Sequence, residues 1–472
     1  MVKSSVLRCC LKALPFLLIL LYILAVVVPY IEHKEVSPEY RAAFEDRRFY
    51  GTGVGPERAA YIDNNKDALF CRMNLIGNAE EEIILSTFDF NGDSSGTDMV
   101  SALFCAAERG VQVRVLVDGA SGFLDVKKNP VFKALAGHKN VELKIYNPID
   151  LLQPWKLQAR LHDKYLIVDR KVYLLGGRNT TDLFLGEQPS VKPNIDRELL
   201  VMRSGQDPEA SLYQLVNYFE SVWALPDSRL FQGRLGEEDR QREEESLRSR
   251  ERAMRAAEPE LFVPVDWRER TFETGRISLL TNPIQAENKE PWMWYSLNRL
   301  MSQGKQVIVY TPYIICGREM YHDLERLTSG GTEIQIITND VASGANPWGC
   351  TDYLNQRRKI WDTGVQVYEY MGEHSCHTKA MVIDDRLSVV GSYNMDMRST
   401  YQDTELMLVV DSPKLNRMIR EEAEHDQTYS KTMGEDGEYQ YGEKYVPKEL
   451  SFGKKAFYLV LRVLTIPLRR FL

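Results

Sequence analysis

At 472 residues, 44% apolar and 27% charged, the chain has the composition of a globular protein and exceeds one ordinary core, so two domains are expected. Its net charge of −8 and isoelectric point near 5.6 argue against a nucleic-acid partner, because binding a phosphate backbone depends on clustered Lys and Arg. The seven Cys are scattered and contain no C-x-x-C pair, so neither a zinc site nor a disulfide framework is implied; neither metal nor cofactor is expected.

The first element is "ALPFLLILLYILAVVVPY", Ala13 to Tyr30, 18 residues without a charge and near the lower limit for a membrane span. No A-x-A cleavage site follows, so an uncleaved anchor is expected rather than a signal peptide. Lys3, Arg8 and Lys12 precede it, whereas Lys34 and Arg41 follow among Glu32, Glu35 and Glu39. That bias points the N-terminus to the cytoplasm and predicts a single-pass protein of the cell membrane with its body on the non-cytoplasmic face. Cys9 and Cys10 flank the apolar run, where lipidation is a weakly supported option. Residues 1–48 are read as tip, anchor and linker.

The first domain, 49–235, opens with the apolar strand "EEIILSTFDFNG", a helical "TDMVSALFCAAERG" and a second strand "VQVRVLVDG", a βαβ unit with a parallel pair. Cys71 and Cys105 lie in apolar helical patterns and are expected in the core. A further strand, "VELKIYN", leads to "LHDKYLIVDRKVYLLGGRN". Residues 236–260 follow as a charged connector. Glu238–Arg242, Glu244–Arg248 and Glu251–Arg255 are i,i+4 pairs in the favourable order, which predicts a solvated helix.

The second domain, 261–450, repeats this order: "KQVIVYTPYIICG", "REMYHDLERLTSGG", "TEIQIITND", "VQVYEYM", then "CHTKAMVIDDRLSVVGSYN". Both long segments carry H-x-K, four residues, D, six residues, G, two residues, N. The first copy is His162, Lys164, Asp169, Gly176 and Asn179; the second is His377, Lys379, Asp384, Gly391 and Asn394. Average residue frequencies make one such match a roughly one-in-ten-thousand event in a chain this long. The fold class is therefore α/β with an internal duplication. The tail, 451–472, reads "KKAFYLVLRVLTIPLRRFL", with Lys455, Arg462 and Arg469 on one helical stripe; it predicts an interfacial helix lying on the membrane, a helix docked on the protein being the alternative.

The chemistry follows from the residue types. In a strand, His and Lys two apart project to one face. Asp169-Arg170 and Asp384-Asp385 are turn signals, so each hairpin returns its Asn toward its own His and Lys, with Gly176-Gly177 or Gly391-Ser392 letting the backbone approach a ligand. Two packed copies would offer two imidazoles, two ammonium groups and two amides to a phosphodiester without a metal. One neutral imidazole attacks phosphorus and the other donates a proton to the leaving oxygen. Each imidazole needs an orienting carboxylate, and Glu198 of "NIDRELLV" and Glu405 of "YQDTELMLV" share an acidic-x-Glu-Leu context entering a strand.

These motifs resemble the H-x-K-x4-D-x6-G-S-x-N signature of the phospholipase D superfamily. The second copy fits throughout, including Ser392, whereas Gly177 stands where the family has Ser. "YNPIDL", "GGRNTTDLFLG" and "GVQVYEYMGEHSCHTKAMVIDD" are similar to a cardiolipin synthase branch. The resemblance implies two pseudo-symmetric α/β domains, each a mixed sheet flanked by helices, with the site between them, and a phosphohistidine intermediate. It also implies phospholipid substrates, phosphatidylglycerol foremost. The motifs do not separate transfer to a second lipid from hydrolysis by a phospholipase D-type enzyme, or from a nuclease, which the acidic balance disfavours. A non-catalytic scaffold is disfavoured by the two intact His-Lys pairs.

Overall fold

The computed structural model describes residues 2–189, 191–205, 207–434 and 436–472, with side chains described for Lys12 and from Leu14 onward; the side chains of Lys3, Arg8, Cys9 and Cys10 lie outside this set. An N-terminal helix, α1 (Val2–Val27), precedes two halves of the same design. The first half contains β1 (Glu57–Ile62), α2 (Asn65–Gly77), β2 (Glu82–Thr87), α3 (Ser94–Glu108), β3 (Gln112–Asp118), β4 (Val141–Tyr146), β5 (Tyr165–Val168), β6 (Val172–Gly176), β7 (Glu198–Arg203), α4 (Ser211–Trp223) and β8 (Ser228–Leu230). A long helix, α5 (Glu237–Ala257), follows, and then β9 (Phe272–Glu273). The second half contains β10 (Arg276–Thr281), α6 (Trp292–Met301), β11 (Gln306–Tyr310), α7 (Arg318–Ser329), β12 (Glu333–Asn339), α8 (Pro347–Asp362) and β13 (Gln366–Tyr370). It continues through β14 (Ala380–Ile383), β15 (Leu387–Gly391), α9 (Met397–Tyr401), β16 (Leu406–Asp411), α10 (Pro413–Thr428), β17 (Ser430–Met433), β18 (Tyr439–Tyr441) and α11 (Phe452–Leu468).

The two nine-stranded sheets run β9-β1-β7-β6-β5-β2-β3-β4-β8 and β10-β16-β15-β14-β11-β12-β13-β17-β18. From β1 to β8 and from β10 to β17 the orders superpose, with one extra edge strand at opposite ends. Among the described residues each of these sheets has two parallel ladders, β2-β3-β4 and β11-β12-β13, of which the first pair, β2-β3 or β11-β12, is the one the βαβ pattern predicts. Central strands read as continuous apolar runs because both faces are covered. Ile83 and Leu85 face the first half's own core, whereas Ile84 between them faces a core shared with Ile308 and Tyr310 of the second half. Helices α4 and α10 contribute Leu215, Phe219, Leu415 and Ile419 to that shared core, so burial itself locks the halves together.

Three boundaries differ from expectation. The chain pairs β9 with β1 before crossing over, so residues to Glu273 complete the first sheet instead of opening the second half at 261. The connector helix is not free in solvent. Leu247 is buried, Arg248 reaches Glu108 at 2.8 Å and Arg250 reaches Asp98 at 2.6 Å, which fastens α5 along α3. Of its expected pairs, Glu244–Arg248 and Glu251–Arg255 form, at 3.1 and 2.8 Å, while Arg242 turns to Asp239. The linker after α1 runs along the second half, where Phe49 is buried and Tyr40 stacks on Trp292.

Among the described residues no helix is long and apolar enough to cross a membrane. The described apolar part of α1, from Leu14 to Val27, rises only about 21 Å against a hydrocarbon core of about 30 Å. Its side chains from Leu14 to Leu24 are nonetheless exposed. At the other end, α11 docks by one face on α8, burying Tyr458, Leu461 and Thr465. The basic stripe belongs largely to that contact. Arg462 donates to Asn355 Oδ1 at 2.8 Å, and Arg469 forks onto Asp352 at 2.6 and 3.1 Å. The opposite face, Phe452, Leu459, Val460, Val463 and Ile466, is exposed and apolar.

Candidate active site

Each H-x-K segment enters the central hairpin of its sheet, β5–β6 or β14–β15. Gly176 N–H donates to Lys164 C=O at 3.3 Å and Gly391 N–H to Lys379 C=O at 3.2 Å, which sets the return strand beside the lysine. Each lysine then folds back along its own strand face: Lys164 Nζ donates to His162 C=O at 2.7 Å, and Lys379 Nζ to His377 C=O. Asn179 and Asn394 follow three residues after each glycine. Both carboxamide oxygens are buried without a partner among the described residues, while Asn394 Nδ2 donates to Tyr313 at 3.1 Å.

The imidazoles are oriented across the interface, each by a carboxylate of the other half. His162 Nδ1 lies 2.9 Å from Glu405 Oε1, and His377 Nδ1 lies 2.7 Å from Asp196 Oδ2. Backbone bridges explain the pairing. Leu161, just before His162, pairs in parallel with Thr404, just before Glu405; Cys376, just before His377, pairs in parallel with Ile195, just before Asp196. Asp196 is thus the structural counterpart of Glu405.

Glu198, expected as an orienter, is not at an imidazole. It sits opposite Gly176 in the sheet, where the second half has Met407, and is held by a bidentate Arg72 at 2.6 and 2.8 Å with Arg178 at 3.4 Å. The matching acidic-x-Glu-Leu contexts are offset by two residues in the fold, so the shared letters mislead. Asp169 and Asp384 also lie away from the imidazoles, up to about 23 Å along an extended strand. Both have positive φ at the distant hairpin turn, 52° and 47°. Asp169 accepts the amides of Glu80, Glu81 and Glu82, and Asp384 those of Lys305 and Gln306. They pin the turn to the start of β2 or β11.

The glycines serve the protein's own packing. A Cβ on Gly391 would lie 2.1 Å from Leu406 C=O, and one on Gly177 would lie 2.5 Å from Asp196 Oδ2 and 2.9 Å from Lys379 Cδ. Ser392, at the position matching Gly177, instead donates to Glu405 Oε2. The two sides are therefore Gly with the short Asp and Ser with the longer Glu.

Several supporting residues carried no sequence motif. Asp163 accepts from Thr404 Oγ1 and Tyr218 Oη, both at 2.8 Å, and His162 N–H donates to the same Thr404 hydroxyl at 3.1 Å. Arg197 clamps the second half beside Asp196, reaching Thr378 at 2.9 Å, Asp426 at 3.0 Å and Glu422 at 2.5 Å. Phe88 and Phe184 pack edge-on against His162 and His377, with centroids 5.2 and 4.8 Å away.

Burial dominates the electrostatics. It holds the His162 imidazole well below its ordinary range, helped by Lys164, and lowers His377 to about 3, helped by Lys379. Burial also lowers Lys164 to about 7 against the pull of Glu405, and raises Glu405 to about 8 against that of Lys164. At Asp196 burial pushes upward, but Lys379 and the His377 hydrogen bond outweigh it and keep the carboxyl below the ordinary value. Asp196 is then the acceptor and His377 Nδ1 the donor. Lys379 Nζ stands 2.6 Å from His377 Nδ1 and 3.1 Å from its Nε2, whereas His162 Nε2 has no partner among the described residues.

The family model described as "Cardiolipin synthase, PLD-like domain" matches residues 73–223 and 297–427, more than half of the chain. The chain belongs to this family, the cardiolipin synthase-like branch of the phospholipase D superfamily. It is similar to cardiolipin synthase C of Escherichia coli (strain K12), 26% identical over 444 residues, covering 84% of this chain and 90% of that one. It is also similar to an uncharacterized protein of Helicobacter pylori (strain J99), 25% identical over 77% of this chain and 78% of that one. Among solved structures, phosphatidylserine synthase of Haemophilus influenzae Rd KW20 shares the fold with a TM-score of 0.61 at 15% identity, covering 88% and 95% of the two chains.

Proposed function

We propose that the protein is a membrane-bound phosphatidyltransferase of the cardiolipin synthase type, which moves a phosphatidyl group from one phosphatidylglycerol to a hydroxyl of a second phospholipid. The observation that carries this reading is the pair of imidazole–carboxylate contacts crossing one interface, each beside a buried lysine and an asparagine with an unpartnered carboxamide oxygen. Similarity to cardiolipin synthase C supports the choice of lipid.

In this mechanism His162 Nε2 attacks phosphorus, and a P–N bond forms as the P–O bond to the leaving glycerol breaks. His377 gives its proton to the glycerol oxygen. The acceptor hydroxyl then yields its proton to His377, its oxygen attacks phosphorus, and the P–N bond breaks. The absence of a partner at His162 Nε2, against a lysine that lies beside both ring nitrogens of His377, supports this division of roles. Lys164 and Lys379 hold the non-bridging oxygens, and a phosphodiester anion between them favours the protonated form of His377. Asp196 and Glu405 fix the two rings, with Ser392 holding Glu405.

The exposed apolar run of α1 and the outward face of α11 support a location at the cell membrane in this reading. The basic bias of Lys3, Arg8 and Lys12 before the apolar run supports a cytoplasmic N-terminus and, in this reading, the two halves on the non-cytoplasmic face. The test is incubation with labelled phosphatidylglycerol and resolution of the lipid products. Cardiolipin with released glycerol is expected; phosphatidic acid alone would identify a hydrolase, and no product would overturn the reading.

A further inference from the structure

We propose that a cavity of about 730 Å³, between the segment following α1 and helices α6 and α7, is a second binding site for a phosphate-ester headgroup, supplied by an anionic phospholipid of the adjoining membrane. The proposal rests on the membrane-lipid reading above for its ligand source, while the cavity and its charge stand independently of it.

Location is the first argument. His33 to Val36 form one wall, and His33 is six residues past the end of α1, within roughly 20 Å of it even in extended chain. The C-terminus arrives at the same place: Phe471 packs on Tyr30 with ring centroids 6.4 Å apart, and Gln402 Nε2 donates to Arg470 C=O. The apolar helices at both chain ends therefore converge beside this opening.

Charge and satisfaction are the second argument. Lys34, Arg41, Arg299, Arg318 and Arg326 line the cavity with three carboxylates, and Lys34 pairs with Glu287 outside it at 3.4 Å, so Arg41 and Arg318 are the cations free of an acidic partner among the described residues. The carboxylates are partly committed: Asp323 takes Trp294 Nε1 and Arg326, both at 2.9 Å, and Glu319 is 3.8 Å from His33. Arg299 is committed to Asp46 at 2.6 Å, whereas Arg318 makes no hydrogen bond or ion pair among the described residues. Asn298, only 5% exposed, accepts from Arg326 Nη2 at its Oδ1 at 2.7 Å and leaves a buried Nδ2 donor without a partner among the described residues. The unpaired guanidinium of Arg318 and the buried, unused amide donor of Asn298 both border the cavity, and each suits an oxygen of a phosphate group. Tyr295, half-buried, adds aromatic surface suited to glycerol and the first acyl carbons.

The cavity also touches the catalytic frame. Its inner wall includes Tyr401, which stacks on His33 at 4.0 Å and ends α9; Glu405, beside His162, lies four residues further on. A bound headgroup thus braces the segment that presents Glu405.

The full-length protein in lipid nanodiscs is to be photolabelled with a photoactivatable short-chain phosphatidylglycerol and the modified peptides mapped. Label is expected on residues 31–41 and on α6 or α7, falling at least tenfold in Arg41→Glu/Arg318→Glu, with Arg318→Ala giving a smaller loss and melting unchanged. Glycerol phosphate or inorganic phosphate displacing the probe as well as lipid does would overturn the lipid source. Absence of label at the cavity, or label indifferent to charge reversal, would overturn the site. Turnover of a soluble p-nitrophenyl phosphodiester, measured on the same samples, reports on the catalytic reading separately; its failure leaves the labelling result intact.

Discussion

His377 Nδ1 meets Asp196 Oδ2 at 2.7 Å across the boundary between the halves, in register with the contact of His162 and Glu405 made in the opposite direction. Neither half alone contains an oriented imidazole, so the candidate site exists only where the two copies meet. Asp196→Asn is expected to keep the fold and lower turnover about 10²- to 10⁴-fold by losing the ring's anionic orienter. Glu198→Gln leaves Arg72 and Arg178 buried without their counter-charge, which should cost about 3–5 kcal/mol in unfolding experiments while activity per folded molecule stays near wild type. The reverse pattern would return the orienting role to Glu198.

The unequal sides make a second prediction. Gly177→Ser places a Cβ 2.5 Å from Asp196 Oδ2, so turnover should fall at least tenfold as the carboxylate is displaced. Ser392→Gly removes a hydrogen bond to a buried carboxyl, worth about 1.5–3 kcal/mol, or about 10- to 150-fold if it acts wholly in the transition state. Equal tolerance of both changes would show that the pairing of Gly with Asp and Ser with Glu does not matter.

The pH dependence follows from burial. Lys164, lowered to about 7, and Glu405, raised to about 8, lose protons over one window and titrate as a unit. The site loses positive charge there, so kcat/KM for a phosphodiester anion should decline between about pH 7 and 8 rather than near the ordinary lysine value of 10.5. Glu405→Gln removes an influence that raises Lys164 and should move the decline to lower pH, while Lys164→Arg, always charged, should leave only the titration of Glu405 and so shrink the decline. On the acid side, depression of both imidazoles keeps the attacking nitrogen unprotonated below pH 6.5.

The outward face of α11 gives a prediction separable from the site. Val460→Glu/Val463→Glu changes residues that are 59% and 66% exposed, so melting should hold while partition onto anionic vesicles drops tenfold or more, given about 1.5–3 kcal/mol per buried apolar side chain. Unchanged vesicle binding would mean that this face does not meet the membrane.

The fold was legible because its signal is repetition: two copies of strand, helix, strand and H-x-K hairpin specify two sheets of the same order. His162, Lys164, Asn179, His377, Lys379, Asn394 and Ser392 were legible for the same reason. Asp169 and Asp384 share the motif yet serve the turn, since fixed spacing reports a folding constraint as readily as a chemical one. Asp196 was hidden because its role is set by a parallel bridge between Ile195 and Cys376, 181 residues away in sequence, and a nearby Glu-Leu imitates the second half's pattern. Arg469 shows the limit of periodicity: a stripe of cations reads alike whether it faces lipid headgroups or a buried Asp352.

The central claim, that His162 carries the phosphatidyl group and His377 the proton, is tested most directly with a p-nitrophenyl phosphodiester lipid analogue, following the nitrophenol burst and acid-labile phosphoenzyme in His162→Ala and His377→Ala. A leaving group this acidic needs little protonation. His377→Ala should therefore still give the burst and the trapped phosphoenzyme, with slow turnover, and His162→Ala should give neither. A burst and phosphoenzyme in His162→Ala but not in His377→Ala would reverse the roles, and their absence from the wild-type enzyme would contradict the covalent mechanism.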